Sequence, residues 1–200
     1  MEPRDGHAVC PRCGRADDAA ALQPLFIVTG ASGSGKTAVL GPLARRMAGR
    51  CVTFDADWLL GAAGTLSGSQ PISWPAFRDA WLAVAHGVAQ SGIPTVLLGP
   101  FMPGQLDQLP ARRWISDIHF IVLDCPDDLR RARISARPPW RSRDIEEQVQ
   151  FGRWLRRNIA DRVDTSSGTP EHTAAAIATW INRHLTASGP LGGADQPSRS

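Results

Sequence analysis

The chain has 200 residues, 42% of them apolar and 20% charged, with a formal net charge of +3. That suffices for one packed core, leaves two full domains cramped, and includes no apolar run long enough to span a membrane. The first twenty residues are charged and carry cysteine where a signal peptide would have an apolar centre, so a cytoplasmic protein is expected.

Residues 1–23 are polar, alanine-rich and aperiodic, and read as a tail, as do the Gly-, Pro- and Ser-rich residues 187–200; one domain is expected over 24–186. Within the first tail, Cys10 and Cys13 have the spacing of half a zinc knuckle. His7 could add a third ligand, but no second Cys-x-x-Cys completes a tetrahedral set within the chain. Reduced thiols on a tail are the simpler reading, and zinc would need a site shared across a dimer. Cys51 and Cys125 fall in strand-like runs and read as buried thiols, so no disulfide framework is expected.

Short apolar runs at 25–29, 51–54, 95–98 and 118–123 read as buried strands, with 163–165 as a candidate fifth. The first run leads into Gly30-Ala31-Ser32-Gly33-Ser34-Gly35-Lys36-Thr37, which matches G-x-x-x-x-G-K-[ST] between a strand and a helix. Glycines let the backbone N–H groups of such a loop turn inward onto phosphates, and the helix N-terminus adds positive potential. Lys36 is then expected to reach the β/γ oxygens of ATP and the Thr37 hydroxyl to ligate Mg²⁺. Gly30, Ser32, Gly33, Ser34, Gly35, Lys36, Thr37 and Ala38 are the expected ATP-binding set. Of 22 basic side chains only Lys36 is a lysine. A bias towards arginine codons explains the missing lysines but not the one retained.

Two classes are disfavoured by what is missing. A guanine-specific Asn-Lys-x-Asp motif needs a second lysine, and the run Thr95-Val96-Leu97-Leu98 ends in Gly99-Pro100-Phe101 where a motor ATPase would place an acidic pair. The second run ends instead in Asp55-Ala56-Asp57. After it, Pro75 suits a first helical turn, Phe77, Trp81, Val84 and Val88 share one face, and Gly92 suits the stop. Trp74, Phe77 and Trp81 form a stripe expected in the core, which leaves Trp58 as the better pocket candidate. Residues 58–92 hold one arginine, Arg78, a poor supply for the phosphate of a nucleoside monophosphate, which favours a hydroxyl acceptor, with Arg112 and Arg113 as the counterweight.

Beyond the fourth strand, Asp127 and Asp128 suit a helix start, and the following stretch carries Arg130, Arg131, Arg133, Arg137, Arg141 and Arg143, broken by Pro138-Pro139-Trp140. Arg130 and Arg131 are expected to be solvated. Glu171 after Pro170 suits the start of a last helix. The alternation implies an α/β fold with about five mostly parallel strands and helices on both faces, ligands binding at the carboxyl ends of the strands.

Taken together, the phosphate loop, Asp55-Ala56-Asp57, the run Ile121-Val122-Leu123-Asp124-Cys125-Pro126 followed by Arg133 and Arg137, and Val163-Asp164-Thr165-Ser166 resemble the small-molecule and nucleotide kinase group of P-loop proteins. That group includes the adenylate kinase-like, shikimate kinase-like and antibiotic phosphotransferase families. The resemblance implies a three-layer P-loop NTPase fold with an arginine-rich lid. It implies Asp55 near the water shell of Mg²⁺, and Asp57 as the group that orients or deprotonates an acceptor hydroxyl. Arg137, Arg141 and Arg133 become candidates for contacts to the transferring phosphoryl group, and Thr165, Ser166 and Ser167 would border adenine. A small-molecule acceptor is the expected partner, with no membrane. A kinase or processing factor for nucleic-acid ends, and a non-catalytic ATP-sensing module, are the competing readings.

Overall fold

The structure is a computed structural model that describes residues 2–4, 7–9, 11–14, 16–61, 71–138 and 144–187. Where a tail is expected, three short strands, β1 (Glu2–Arg4), β2 (His7–Val9) and β3 (Ala16–Ala21), pair antiparallel in a sheet of their own. The main sheet contains β4 (Leu25–Thr29), β5 (Val52–Asp55), β6 (Thr95–Leu98), β7 (Ile118–Asp124) and β8 (Arg162–Asp164). All pair in parallel, in the order β5-β6-β4-β7-β8, so the expected sheet is present and the phosphate-loop strand lies at its centre.

Alternation along the strands divides the core. Phe26 and Val28 of β4 pack with Val39 and Leu43 of α1 (Lys36–Arg46) and with Ala174, Ile177 and Ile181 of α5 (Pro170–Ala187). Leu25 and Ile27 point the other way, onto Phe77, Trp81, Leu82 and Ala85 of α2 (Trp74–Ala89). Beside them, Val122 packs on Leu155 of α4 (Ile145–Asn158). Burying each such side chain contributes about 1.5–3 kcal/mol, and covering both faces makes three layers. No helix among the described residues is long and apolar enough to cross a membrane.

Helix α4 has no counterpart among the expected elements. It starts at Asp144, whose carboxylate accepts from the backbone N–H of Glu147 at 2.9 Å, and it buries Val149, Gly152 and Leu155. Gly152 is needed for space. A Cβ there would stand 2.9 Å from the guanidinium of Arg130, which projects from α3 (Asp127–Ser135).

At the N-terminal end of the sheet, His119 of β7 stacks on Phe26 (5.3 Å) and lies 4.2 Å from His184 of α5. Burial, and then the proximity of His184, hold His119 below its usual pKa of 6.5, against the opposing pull of Asp117 and Asp161. The unfolded chain therefore binds this proton more tightly, and stability present above pH 6.5 is lost as pH falls below it. Urea midpoints at pH 7.5 and pH 5 are expected to differ less in His184→Gln than in the parent protein.

Candidate active site

The phosphate loop lies between β4 and α1. Gly35, at φ +94°, is the residue before the helix, a left-handed conformation that side-chain-bearing residues avoid. Within the loop, the ammonium of Lys36 donates to the carbonyl oxygens of Gly30 and Ala31, the latter at 3.2 Å. Burial pulls its pKa down to about 8; Asp57 and Asp55 raise it, while Arg130 and Arg137 add to the lowering. Ser34 is buried, and its hydroxyl has no hydrogen-bond partner among the described residues.

The peptide of Ser32 is held from both sides. Its N–H donates to Gln148 Oε1 of α4 at 2.8 Å, and its carbonyl accepts from Arg130 Nη1 at 3.2 Å. Arg130 is fully buried, in contrast to the solvated position expected from its place on the helix. Its Nη2 donates to Asp124 Oδ1 at 2.9 Å, and Asp124 also accepts from Arg156 Nε of α4 at 2.6 Å. One arginine in a cluster of six gives no hint of this role; the aspartate ending β7 and the glycine of α4 create it. Arg131 pairs with Asp128 and Glu146 at the surface, as expected.

Two cavities flank the loop. The first, of about 310 Å³, is lined by Gly33, Gly35, Ala38, Arg133, Arg137 and Thr165, and is closed by Gly168, Thr169, Pro170 and Thr173. Arg133 is fixed there by donating to Thr165 O at 2.7 Å and Gly33 O at 3.2 Å. Ser166 is not among the lining residues; its N–H donates to Asp164 Oδ1 at 2.7 Å, and its neighbours Thr165 and Gly168 line the wall instead.

The second cavity, of about 210 Å³, brings Gly30, Ser32, Lys36 and Thr37 together with Asp55 and Asp57. Strand β5 ends at Asp55. A 3-10 turn (Ala56–Leu59) follows, capped by Asp55, whose Oδ1 accepts from Asp57 N–H at 3.0 Å. Ala56 is buried beneath, its carbonyl accepting from Trp81 Nε1 at 3.2 Å, so Trp81 anchors the turn from the core. Asp55 thus caps the turn that carries Asp57, and both line one space.

Aromatic rings line this cavity too, but not the expected one. Trp58 is 59% exposed, packs edge-on to Phe54 and lies outside the lining, whereas Trp74, Phe77 and Phe151 are part of it. Trp74 begins α2 ahead of the buried stripe, so its spacing from Phe77 and Trp81 concealed a position at the rim. Gln148 and Phe151 escaped notice with α4 itself. Arg141 and Cys10 lie outside the described residues; Cys13 is exposed, and no group of three or more His, Cys, Asp or Glu placed to hold a metal occurs among the described residues.

No protein-family model and no curated protein matches the sequence. Solved structures do match its fold. The tunicamycin resistance protein of Deinococcus radiodurans superposes with a TM-score of 0.63 at 18% identity, over 80% of this chain and 95% of that one. A sugar kinase from Janibacter sp. gives 0.58 at 20% identity, with coverages of 80% and 95%. A gluconokinase from Sinorhizobium meliloti gives 0.53 at 19% identity, with coverages of 84% and 99%. The chain thus has the three-layer α/β fold of P-loop small-molecule kinases.

Proposed function

We propose that the protein transfers the γ-phosphoryl group of ATP to a hydroxyl of a small molecule. The observation that carries this reading is the second cavity, where the phosphate-loop side chains Lys36 and Thr37 share one space with Asp55 and Asp57. Adenine and ribose occupy the first cavity, against Thr165, Gly168 and Thr169, with Arg133 and Arg137 along the phosphates. The loop directs the γ-phosphate into the second cavity.

Thr37 and Asp55 both line this cavity with hard oxygen donors, a donor set that suits Mg²⁺ with part of its water shell retained. Held by these residues, Mg²⁺ would neutralise phosphate charge. The chain's own residues do the rest. Asp57 accepts the proton of the acceptor hydroxyl as its oxygen bonds to the γ-phosphorus and the bond to the ADP oxygen breaks. Lys36 and Arg137 stabilise the charge on the moving phosphoryl group, and residues of α4 close the space against water.

Asp57→Asn keeps the size of the side chain and removes its basicity. With an acceptor in hand, kcat is expected to fall by about 10²–10⁴, while the Kd for an ATP analogue stays within a factor of a few. Unchanged turnover in this variant rules Asp57 out as the base. The neighbouring folds named for sugar and gluconate kinases favour this reading over the nucleic-acid and sensor alternatives.

A further inference from the structure

The two cavities divide the phosphate loop between them. Ser32 lines the second, with Gly30, Lys36 and Thr37, and is not among the described residues lining the first, where Gly33, Gly35 and Ala38 stand. Gln148 lines the second cavity as well and is half-buried there. Phe151 and Gly152 follow it by three and four residues on α4, so the three share a helix face. That face lies against the loop: Phe151 lines the cavity, and Gly152 seats on Arg130, which holds the Ser32 carbonyl.

The two ends of the Gln148 amide have different fates. The Ser32 N–H is a donor, so the atom it meets at 2.8 Å is the amide oxygen. That assigns the orientation of the amide and leaves both Nε2 hydrogens without an acceptor among the described residues. Nε2 belongs to a group already in contact with the loop, so an anion bound beside Ser32 in the second cavity lies within its reach. Helix α4 is tied in this position by Arg156, which donates to Asp124 at 2.6 Å, and by Arg153, which donates to Asp127 at 2.7 Å.

We infer that Gln148 reads the terminal phosphate of the nucleotide: its amide oxygen holds the Ser32 N–H while its Nε2 donates to a γ-phosphate oxygen. The inward N–H groups of the loop and the start of α1 serve the phosphates nearer the nucleoside, and the γ-phosphate is the one that enters the second cavity. A hydrogen bond to a charged oxygen is about twice as strong as one between neutral groups. A diphosphate leaves this donor unused. The inference rests on the proposed placement of the γ-phosphate, and not on the transfer step.

The test is titration calorimetry of the full chain with Mg²⁺ and either ADP or a non-hydrolysable ATP analogue, read as the ratio of the two Kd values. A residue that only orders the loop weakens both ligands equally and leaves the ratio unchanged. In Gln148→Ala the preference for the analogue over ADP is expected to fall by at least about 10-fold, whatever loss the two ligands share. Gln148→Glu keeps an oxygen for the Ser32 N–H and sets a carboxylate against the γ-phosphate, so the preference should fall further. A second measurement needs no variant. Amide hydrogen exchange in residues 145–158 of the parent protein should be slower with saturating analogue than with saturating ADP. An unchanged Kd ratio in both variants, or equal protection by the two nucleotides, overturns the inference. If acceptor-stimulated turnover persists with either of those results, the phosphotransfer reading stands and this one falls. The predicted ratios in a protein that no acceptor stimulates support the γ-phosphate contact and overturn phosphotransfer.

Discussion

Arg130→Ala is expected to lower the stability of the domain by about 3–5 kcal/mol, the cost of removing one partner from a buried ion pair. Arg130 is fully buried, and its guanidinium joins three elements: the carboxylate of Asp124 at the end of β7, the carbonyl of Ser32 in the phosphate loop, and the surface of α4 opposite Gly152. Alanine leaves the Ser32 carbonyl without this donor and a cavity beneath α4. Asp124 keeps Arg156, at 2.6 Å, which places the expected loss at the lower end, about 3 kcal/mol. Asp124→Asn in the Arg130→Ala background should recover part of the loss, because part of it comes from the underpaired carboxylate. Urea unfolding of the single and double variants measures both numbers. A loss below about 0.5 kcal/mol, the range of ordinary surface substitutions, would show that Arg130 does not hold the loop.

Lys36→Ala is expected to reduce phosphoryl transfer by about 10²–10³ in kcat, the usual cost of removing one preorganised donor to developing charge. The lysine also has a pH signature. Its folded pKa of about 8 lies below the ordinary 10.5, chiefly because burial disfavours the ammonium, with Asp57 and Asp55 partly compensating. The unfolded chain therefore holds this proton more tightly between pH 8 and 10.5, and the ligand-free protein gains stability from this group as pH rises through that window. Polyphosphate favours the ammonium, so ATP binding above pH 8 should take up a proton, and ATP affinity should fall with rising pH. Calorimetry at pH 8.5 in two buffers of different ionisation enthalpy reads the uptake directly. Lys36→Met should abolish it.

The sheet was legible because its strands are short apolar runs bounded by glycine, proline and aspartate, and because the phosphate loop ties one of them to a known geometry. The acceptor side was harder to read. Asp55-Ala56-Asp57 looks like a continuing strand, and the 3-10 turn capped by Asp55 is set by contacts such as Trp81 on the Ala56 carbonyl that lie far away in sequence. Helix α4 carries a legible start in Asp144 followed by Glu147, a capping signature that the arginines and prolines before it overshadowed. Its contribution to the site depends on a long-range hydrogen bond from Ser32 to Gln148, 116 residues apart, which no local pattern encodes. The burial of Arg130 is similar: helical position alone predicts solvent, and the partner that overrides it lies at the end of a strand.

The measurement that bears most directly on the central claim is ATP consumption with Mg²⁺ across a panel of nucleosides, nucleotides, sugars and aminoglycoside-like antibiotics, with Lys36→Ala as the blank. A small-molecule alcohol that stimulates ADP formation in the parent protein, and not in the variant, is the predicted result. ATP binding that no member of the panel converts into ADP formation would contradict it and turn attention to the nucleic-acid and sensor readings.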